Sequence, residues 1–211
     1  MIISQKAFRL NTYSKEFNQG ITIIEINLKY ISQNYKTLCH LSKPGDTAAV
    51  VKSNAYGCGI NKVAKTLSQK GCNIFFVAKL SEGLELRKQI PKSKMIAIFD
   101  GYLDQDKKLW NHFNLTPVCN TTEQVMSASN DEIKYMIHID TGMNRLGLSV
   151  KDAHKLLKNH SKINHHHLRL ILSHFVCSDN KKSKLNCEQV KIFNEFNNYF
   201  PHIKRSMSNS H

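Results

Sequence analysis

The chain has 211 residues, and its 30 lysines and arginines against 16 aspartates and glutamates give a net charge of +14. This length is typical of one domain with a buried core, which excludes a wholly disordered chain. No run of the roughly 18 apolar residues needed to cross a bilayer occurs, and charges in residues 1–17 interrupt any signal-peptide core. The six cysteines are scattered singly, which indicates free thiols in a reducing cytoplasm rather than a disulfide framework or a zinc site.

The excess of positive charge is the single feature that suggests a nucleic-acid-binding function. It permits attraction to nucleic acid, but it also arises from lysine-rich composition without any partner. Aromatic residues do not alternate with the basic ones in the pattern of a base-stacking surface. A basic nucleic-acid-binding module therefore stays as an alternative, and we expect no nucleic-acid or membrane partner.

Residues 1–46 form an N-terminal segment with one predicted strand and one predicted helix. Residues 21–26 are rich in β-branched side chains and are typical of a strand. Residues 28–41 carry apolar side chains at helical spacing, and Pro44 and Gly45 then end the helix.

From residue 47 onward, short apolar runs alternate with segments of helical period, which predicts βαβ units and a parallel sheet. The predicted strands are 47–52, 73–79, 95–101, 115–118, 134–140 and 168–175, with the start of a seventh at 205–211. The predicted helices are 61–70 (N-cap Asn61, stop at Gly71), 81–90, 104–113, 121–129, 150–160 and one near 187–199. Because an eight-stranded barrel usually needs about 250 residues, we expect residues 47–211 to form a (β/α)8 barrel of TIM type that is incomplete at its C-terminus.

Lys52 is the first candidate functional residue because it closes an apolar predicted strand. Desolvation there favours a neutral amine, which can attack an aldehyde and hold it as a Schiff base. Gly57 and Gly59 let the backbone approach a ligand closely, and Tyr56 adds a hydroxyl in the same turn. The alternative is an ordinary surface lysine whose ammonium group reaches water.

Arg145 and His174 follow two other predicted strands. Arg145 lies in a loop between Gly142 and Gly147, where its guanidinium could bind a phenolate, carboxylate or phosphate. Pairing with Asp140 is the structural alternative. His174 ends an apolar run, so it either faces a site above the sheet or is a core or rim histidine.

Other site classes find little support. His165, His166 and His167 suggest a metal site, but consecutive strand residues point to opposite faces and no cysteine or carboxylate stands at ligand spacing. We therefore expect a surface loop there and no metal. The sequence contains no Walker P-loop, GxGxxG, GxSxG or HExxH motif.

Four segments together resemble the alanine racemases. VVKSNAYGCG at 50–59 resembles the pyridoxal-phosphate attachment motif of that family, and HIDTGMNRLG at 138–147 resembles its second signature. SHFVCSD at 173–179 and SMSNS at 206–210 match two further landmarks in the expected order. The resemblance spans residues 20–211 and implies a fold-type III enzyme that uses pyridoxal phosphate to interconvert L-alanine and D-alanine for peptidoglycan.

The resemblance also implies roles for individual residues. Lys52 would bind the cofactor covalently and handle the proton on the D-alanine side. Arg145 would contact the phenolic oxygen of the cofactor and the substrate carboxylate, and His174 would join the polar network beneath the pyridine ring.

At the cofactor phosphate, the resemblance implies that Tyr56 and Ser210 hold the group and that Asn209 stands beside it. His138 departs from the family pattern. Many members have a lysine there, modified by carbamylation, which braces the arginine.

Family members continue with a last barrel strand and a C-terminal β-domain, which packs against the strand predicted at 21–26 and carries the opposite-face base across a homodimer. The resemblance therefore implies that this chain, without that domain, is an inactive or poorly folded N-terminal piece of a longer or decayed cytoplasmic racemase. A single-domain pyridoxal-phosphate-binding protein of cofactor homeostasis is the alternative within the same fold. The NAYG and DTGMNRLG segments disfavour it.

Overall fold

The computed structural model describes residues 24–103, 107–159 and 163–209. Seven strands form one parallel sheet in chain order, so each strand pairs with its sequence neighbours. The strands are β1 Ala49–Val50, β2 Ile74–Val77, β3 Met95–Ile98, β4 Leu115–Cys119, β5 Tyr135–His138, β6 Leu168–His174 and β7 Lys204–Ser208. The α/β class and the incomplete barrel are confirmed.

Helical segments connect the strands, and among the described residues no helix is long and apolar enough to cross a membrane. They are α1 Leu28–Leu41, α2 Lys52–Tyr56, α3 Ile60–Gln69, α4 Leu80–Arg87, α5 Lys107–Phe113, α6 Thr122–Asn130, α7 Val150–Lys158 and α8 Lys184–Asn194. All except α2 are right-handed helices. The segment α2 is a single left-handed turn, with φ near +53° at residues 53–56.

Several predicted boundaries differ from the structure. Residues 21–23 of the first predicted strand lie outside the described residues, and residues 24–26 are not in a strand. Asn61 is not the N-cap of α3, because the helix begins at Ile60 after Gly59, and the side chain of Asn54 accepts the Ile60 N–H at 2.9 Å. The last predicted helix begins and ends earlier, at Lys184–Asn194.

The core has two parts because side chains alternate across each strand. The larger part lies between the sheet and the helices and includes Phe75, Ile96, Tyr135 and Ile171. A smaller cluster draws one buried residue from each of β2 to β6 and none from a helix, which marks it as the interior of the curled sheet. Its members are Phe76, Ala97, Val118, Met136 and Leu172.

The curl of the sheet brings its two edges toward each other. Lys204 at the start of β7 forms an ion pair with Asp46, just before β1, at 2.7 Å. The two edge strands do not pair with each other in the described sheet. The barrel is therefore curled and open along one side.

Candidate active site

The carboxyl ends of the parallel strands carry the predicted site residues, as expected for α/β barrels. Lys52 follows β1, Arg145 lies in the loop after β5, His174 ends β6 and Asn209 follows β7. The Asn209 side-chain amide donates to the carbonyl of Phe175 at 2.7 Å, which ties the end of β7 to the end of β6. Ser210 lies outside the described residues.

The amine of Lys52 lies above the interior of the curled sheet. Its Nζ is 5.7 Å from the centroid of the Phe99 ring, within the range of a cation–π contact. Phe99 stacks in turn on Phe76 of the interior cluster, with ring centroids 5.1 Å apart. The half-buried lysine therefore points to the mouth of the barrel rather than outward along the surface.

A strained turn follows Lys52 and fixes its direction. Four consecutive non-glycine residues, 53–56, have left-handed dihedral angles, each of which costs about 1–2 kcal/mol. Glu82 of α4 stabilises this turn: its Oε1 accepts the Ser53 N–H at 2.7 Å, while its Oε2 accepts two N–H groups before α4 at 2.8 and 3.1 Å. Strain held by outside contacts is common at functional sites. Tyr56 ends the turn with 62% of its surface exposed.

The loop that carries Arg145 is folded back onto β5. The Asp140 carboxylate accepts the N–H groups of residues 142–144 at 2.8 to 3.0 Å. No ion pair of the described residues joins Asp140 to Arg145, so the predicted structural alternative is not observed. Gly147 has φ +110°, and a Cβ there would lie 2.8 Å from the Asp140 nitrogen. A glycine is therefore required at position 147, where the loop turns back to the end of β5.

Two histidines near Arg145 are held in the neutral form. Burial lowers the pKa of His138 to about 4; the nearby Arg145 and His174 act in the same direction, and Asp140 opposes them. Burial also lowers the pKa of His174, and the charges of Arg145 and Lys52 add to this effect. These influences place His174 within electrostatic range of Lys52, Arg145 and His138.

A buried polar network supports the His174 end of the site. Thr141 and Ser173 share a hydrogen bond of 2.8 Å between their hydroxyls. Gln189 is fully buried, and its amide donates to Thr141 Oγ1 at 3.1 Å and to the His174 carbonyl at 2.9 Å. Its Oε1 accepts the N–H of Val176 at 3.1 Å. The ends of β5 and β6 are thereby held in one arrangement.

Three of these supporting residues were missed by sequence reasoning. Asn120, whose side-chain oxygen lies 3.1 Å from His138 Nδ1, directly follows β4, a position that the strand pattern could have indicated. Glu82 stands at the start of a predicted helix, where an acidic residue is a common capping signal. Gln189 lies in the middle of α8, and nothing in its sequence context indicates a buried role.

The three consecutive histidines precede β6 on a turn, where His165 and His166 are exposed, as expected for a surface loop. Within the described ranges, no group of three or more metal-ligating side chains is found. Two surface cavities of about 540 and 520 Å³ flank the site, but neither is lined by Lys52, Arg145 or His174. The site is therefore identified by its side chains and not by a cavity.

This set of side chains fits pyridoxal phosphate. A primary amine at the mouth of the barrel suits the aldehyde, and an exposed guanidinium suits a phenolate oxygen. Lys52 and Arg145 supply these two groups at one edge of the sheet. Tyr56 and Asn209, on the turns after β1 and β7, have hydroxyl and amide groups of the kind that bind phosphate.

The comparisons with known proteins agree with this chemistry. The family profile of the alanine racemase N-terminal domain matches residues 26–211. The alanine racemase of Rickettsia akari is 34% identical over 197 residues, which cover 90% of this chain and 56% of that protein. The chain spans about half the length of the curated relatives it matches.

Solved structures of the same family share the fold. The alanine racemase of Bartonella henselae with covalently bound pyridoxal phosphate has a TM-score of 0.79 and 32% identity over 88% of this chain and 56% of that chain. The biosynthetic alanine racemase of Pseudomonas aeruginosa has a TM-score of 0.77 and 27% identity over 88% of this chain and 52% of that chain.

The open parallel barrel is the fold of the pyridoxal-phosphate enzymes of fold type III. The chain belongs to the alanine racemase family, and it matches the N-terminal domain of that family.

Proposed function

We propose that this chain forms the Lys52 half of an active site that interconverts L-alanine and D-alanine. The observation that carries the proposal is the position of the Lys52 amine, 5.7 Å from the Phe99 ring at the mouth of the barrel. His174 lies within electrostatic range of both Lys52 and Arg145.

The cofactor, when bound, supplies an electron sink that acidifies the α-hydrogen of an amino acid. The chain's own residues then handle the proton and the charges. Lys52 Nζ takes the proton from one face of the α-carbon and returns it there, since the turn stabilised by Glu82 fixes the direction of the amine. Arg145 orients the carboxylate end of the substrate, and the imidazole of His174, whose pKa is lowered by burial, adds no further positive charge beside Arg145.

Racemisation also needs an acid–base group on the opposite face of the substrate. The resemblance assigns that group to a tyrosine of the C-terminal β-domain from the second subunit of a homodimer. We expect the 211-residue chain to complete the reaction only together with such a domain, in the cytoplasm, where the D-alanine serves peptidoglycan synthesis.

Exchange of the α-hydrogen in deuterium oxide tests this one-sided chemistry. Proton NMR would follow the chain with pyridoxal phosphate and either D-alanine or L-alanine, with free pyridoxal phosphate as the background. We expect D-alanine to lose its α-proton signal faster, without conversion to L-alanine. The Lys52→Ala variant would fall to the background, and Lys79→Ala, an exposed lysine after β2, would match the unaltered chain.

Two results would contradict the proposal. Sustained conversion of L-alanine to D-alanine by this chain alone would show that its own residues supply both acid–base groups. Exchange by Lys52→Ala at the rate of the unaltered chain would show that Lys52 does not move the proton.

A further inference from the structure

A glutamate, a histidine and a tyrosine form a chain of hydrogen bonds in the helix layer outside the sheet. His154 lies in the middle of α7, and Glu195 and Tyr199 lie in the turns between α8 and β7. A connection that leads into a parallel strand lies at the amino end of the sheet, opposite the carboxyl ends that carry Lys52. These three residues, which we call the outer triad, therefore lie apart from the candidate active site.

Both ring nitrogens of His154 have a partner in the outer triad. Nε2 lies 3.1 Å from Glu195 Oε2, and Nδ1 lies 3.1 Å from the Tyr199 hydroxyl. A carboxylate oxygen only accepts hydrogen bonds, so Nε2 carries the proton of the neutral ring and Nδ1 accepts the Tyr199 O–H. Carboxylate, imidazole and hydroxyl thus stand in the order in which a histidine base activates a hydroxyl nucleophile.

The surrounding residues hold the outer triad in place. The His154 ring stacks on the ring of Phe196, with centroids 4.5 Å apart and an interplanar angle of 29°, and Phe196 is fully buried. The N–H of Phe196 donates to the Phe193 carbonyl at 3.3 Å, and the N–H of Tyr199 donates to the Phe196 carbonyl at 3.4 Å. These contacts orient the imidazole toward the hydroxyl before any ligand arrives.

The outer triad is also accessible to molecules in solution. The side chains of His154 and Glu195 are 29% and 46% exposed, and Tyr199 is half-buried. A reagent from solvent can therefore approach the Tyr199 oxygen while the imidazole stays in contact with it.

We propose that the outer triad is an acyl-acceptor site, at which His154 acts as general base for attack by the Tyr199 hydroxyl on activated acyl groups such as aryl esters and thioesters. The Tyr199 oxygen bonds to the acyl carbon and gives its proton to His154 Nδ1. The bond between the acyl carbon and its leaving group then breaks, and the leaving group takes the electron pair and receives the proton from His154. Glu195 stabilises the imidazolium that forms between these steps. The products are a Tyr199 ester and a free phenol or thiol, and neither the cofactor nor Lys52 takes part.

Acetylation by 4-nitrophenyl acetate tests the site on the full chain without the cofactor. At about pH 8, where free histidine is neutral, peptide mass spectrometry would follow the acetyl groups on each tyrosine with time. Tyr30, with 57% of its surface exposed, is the comparison within the same chain. We expect Tyr199 to be acetylated about tenfold or more faster than Tyr30, because general-base catalysis outweighs the difference in exposure. Acetylation of Tyr199 no faster than that of Tyr30 would overturn the inference.

Variants of the two supporting residues show whether the rate depends on the outer triad. We expect His154→Gln to lower the acetylation of Tyr199 to the rate of Tyr30, because the amide can accept a hydrogen bond from the hydroxyl but does not take its proton. Glu195→Gln should also slow Tyr199, while Glu188→Gln, at an exposed glutamate of α8, should leave it unchanged.

Three results with these variants would overturn the inference. They are an undiminished rate at Tyr199 in His154→Gln, an undiminished rate in Glu195→Gln, and equal slowing by Glu195→Gln and Glu188→Gln. If His154→Gln did not fold, Glu195→Gln would decide the question, because it changes a side chain at the surface.

Discussion

His138 links the chemistry of the site to the stability of the fold. Its ring is buried beside Asn120, and burial lowers its pKa to about 4. The sequence could predict Lys52, Arg145 and His174, because each follows an apolar strand and the carboxyl ends of parallel strands share one edge. It could not predict the pairing of His138 with Asn120, since that contact depends on how neighbouring strands align.

The low pKa of His138 predicts a loss of stability in mild acid. The unfolded chain takes up a proton near pH 6.5 and the folded chain only near pH 4, so the stabilisation is full above pH 6.5 and is lost as the pH falls to 4. The loss from this residue amounts to about 3 kcal/mol. His174 acts in the same direction. Urea unfolding of His138→Gln should show a smaller loss than the unaltered chain, and an equal loss in both would contradict this account.

Arg87 shows how a helix fixes the amino end of the sheet. The residue is 7% exposed, and its guanidinium donates to the carbonyls of Phe113, Pro91, Lys94 and Asn114 at 2.6 to 3.0 Å. These carbonyls belong to the turns that precede β3 and β4. The spacing of apolar residues predicted α4 and both strands. An arginine in a helix, however, is usually expected at the surface. Its burial depends on backbone carbonyls that lie 4 to 27 positions away in the sequence.

The loss of these bonds should weaken the fold. Arg87→Met leaves four carbonyls without their donors, and we expect the free energy of unfolding to fall by about 3 kcal/mol. The matched control is Lys88→Met, because Lys88 has 66% of its side chain exposed and, among the described residues, pairs with Glu85 at the surface. We expect this control to change stability by less than about 0.5 kcal/mol. Chemical denaturation of both variants measures the difference, and equal effects would contradict the structural role of Arg87.

The sheet as a whole is a curled barrel with two edges. Lys204 and Asp46 join the edges through an exposed ion pair, which contributes no more than about 1 kcal/mol. The strand count and the length of the chain predicted this open architecture. The strand expected at residues 21–26 is not observed in its described part. Residues 24–26 pair with no strand of the sheet.

An open edge should promote self-association. Val50 on the edge strand β1 is 42% exposed, beside backbone groups that a second chain could pair with. We expect Val50→Lys to lower the apparent mass measured by light scattering at high concentration, because an edge lysine opposes strand pairing. Val190→Lys on α8, where the valine is 39% exposed, is the control and should leave the apparent mass unchanged. Equal effects of the two variants on the apparent mass would indicate nonspecific association of exposed apolar side chains instead.

The central claim is that Lys52 is the lysine that binds the cofactor. Borohydride reduction of the chain after incubation with pyridoxal phosphate, followed by peptide mass spectrometry, tests it most directly. The account predicts the added mass on the peptide that contains Lys52, its loss in Lys52→Ala and its retention in Lys79→Ala. Added mass on another lysine, or undiminished labelling of Lys52→Ala, would contradict it.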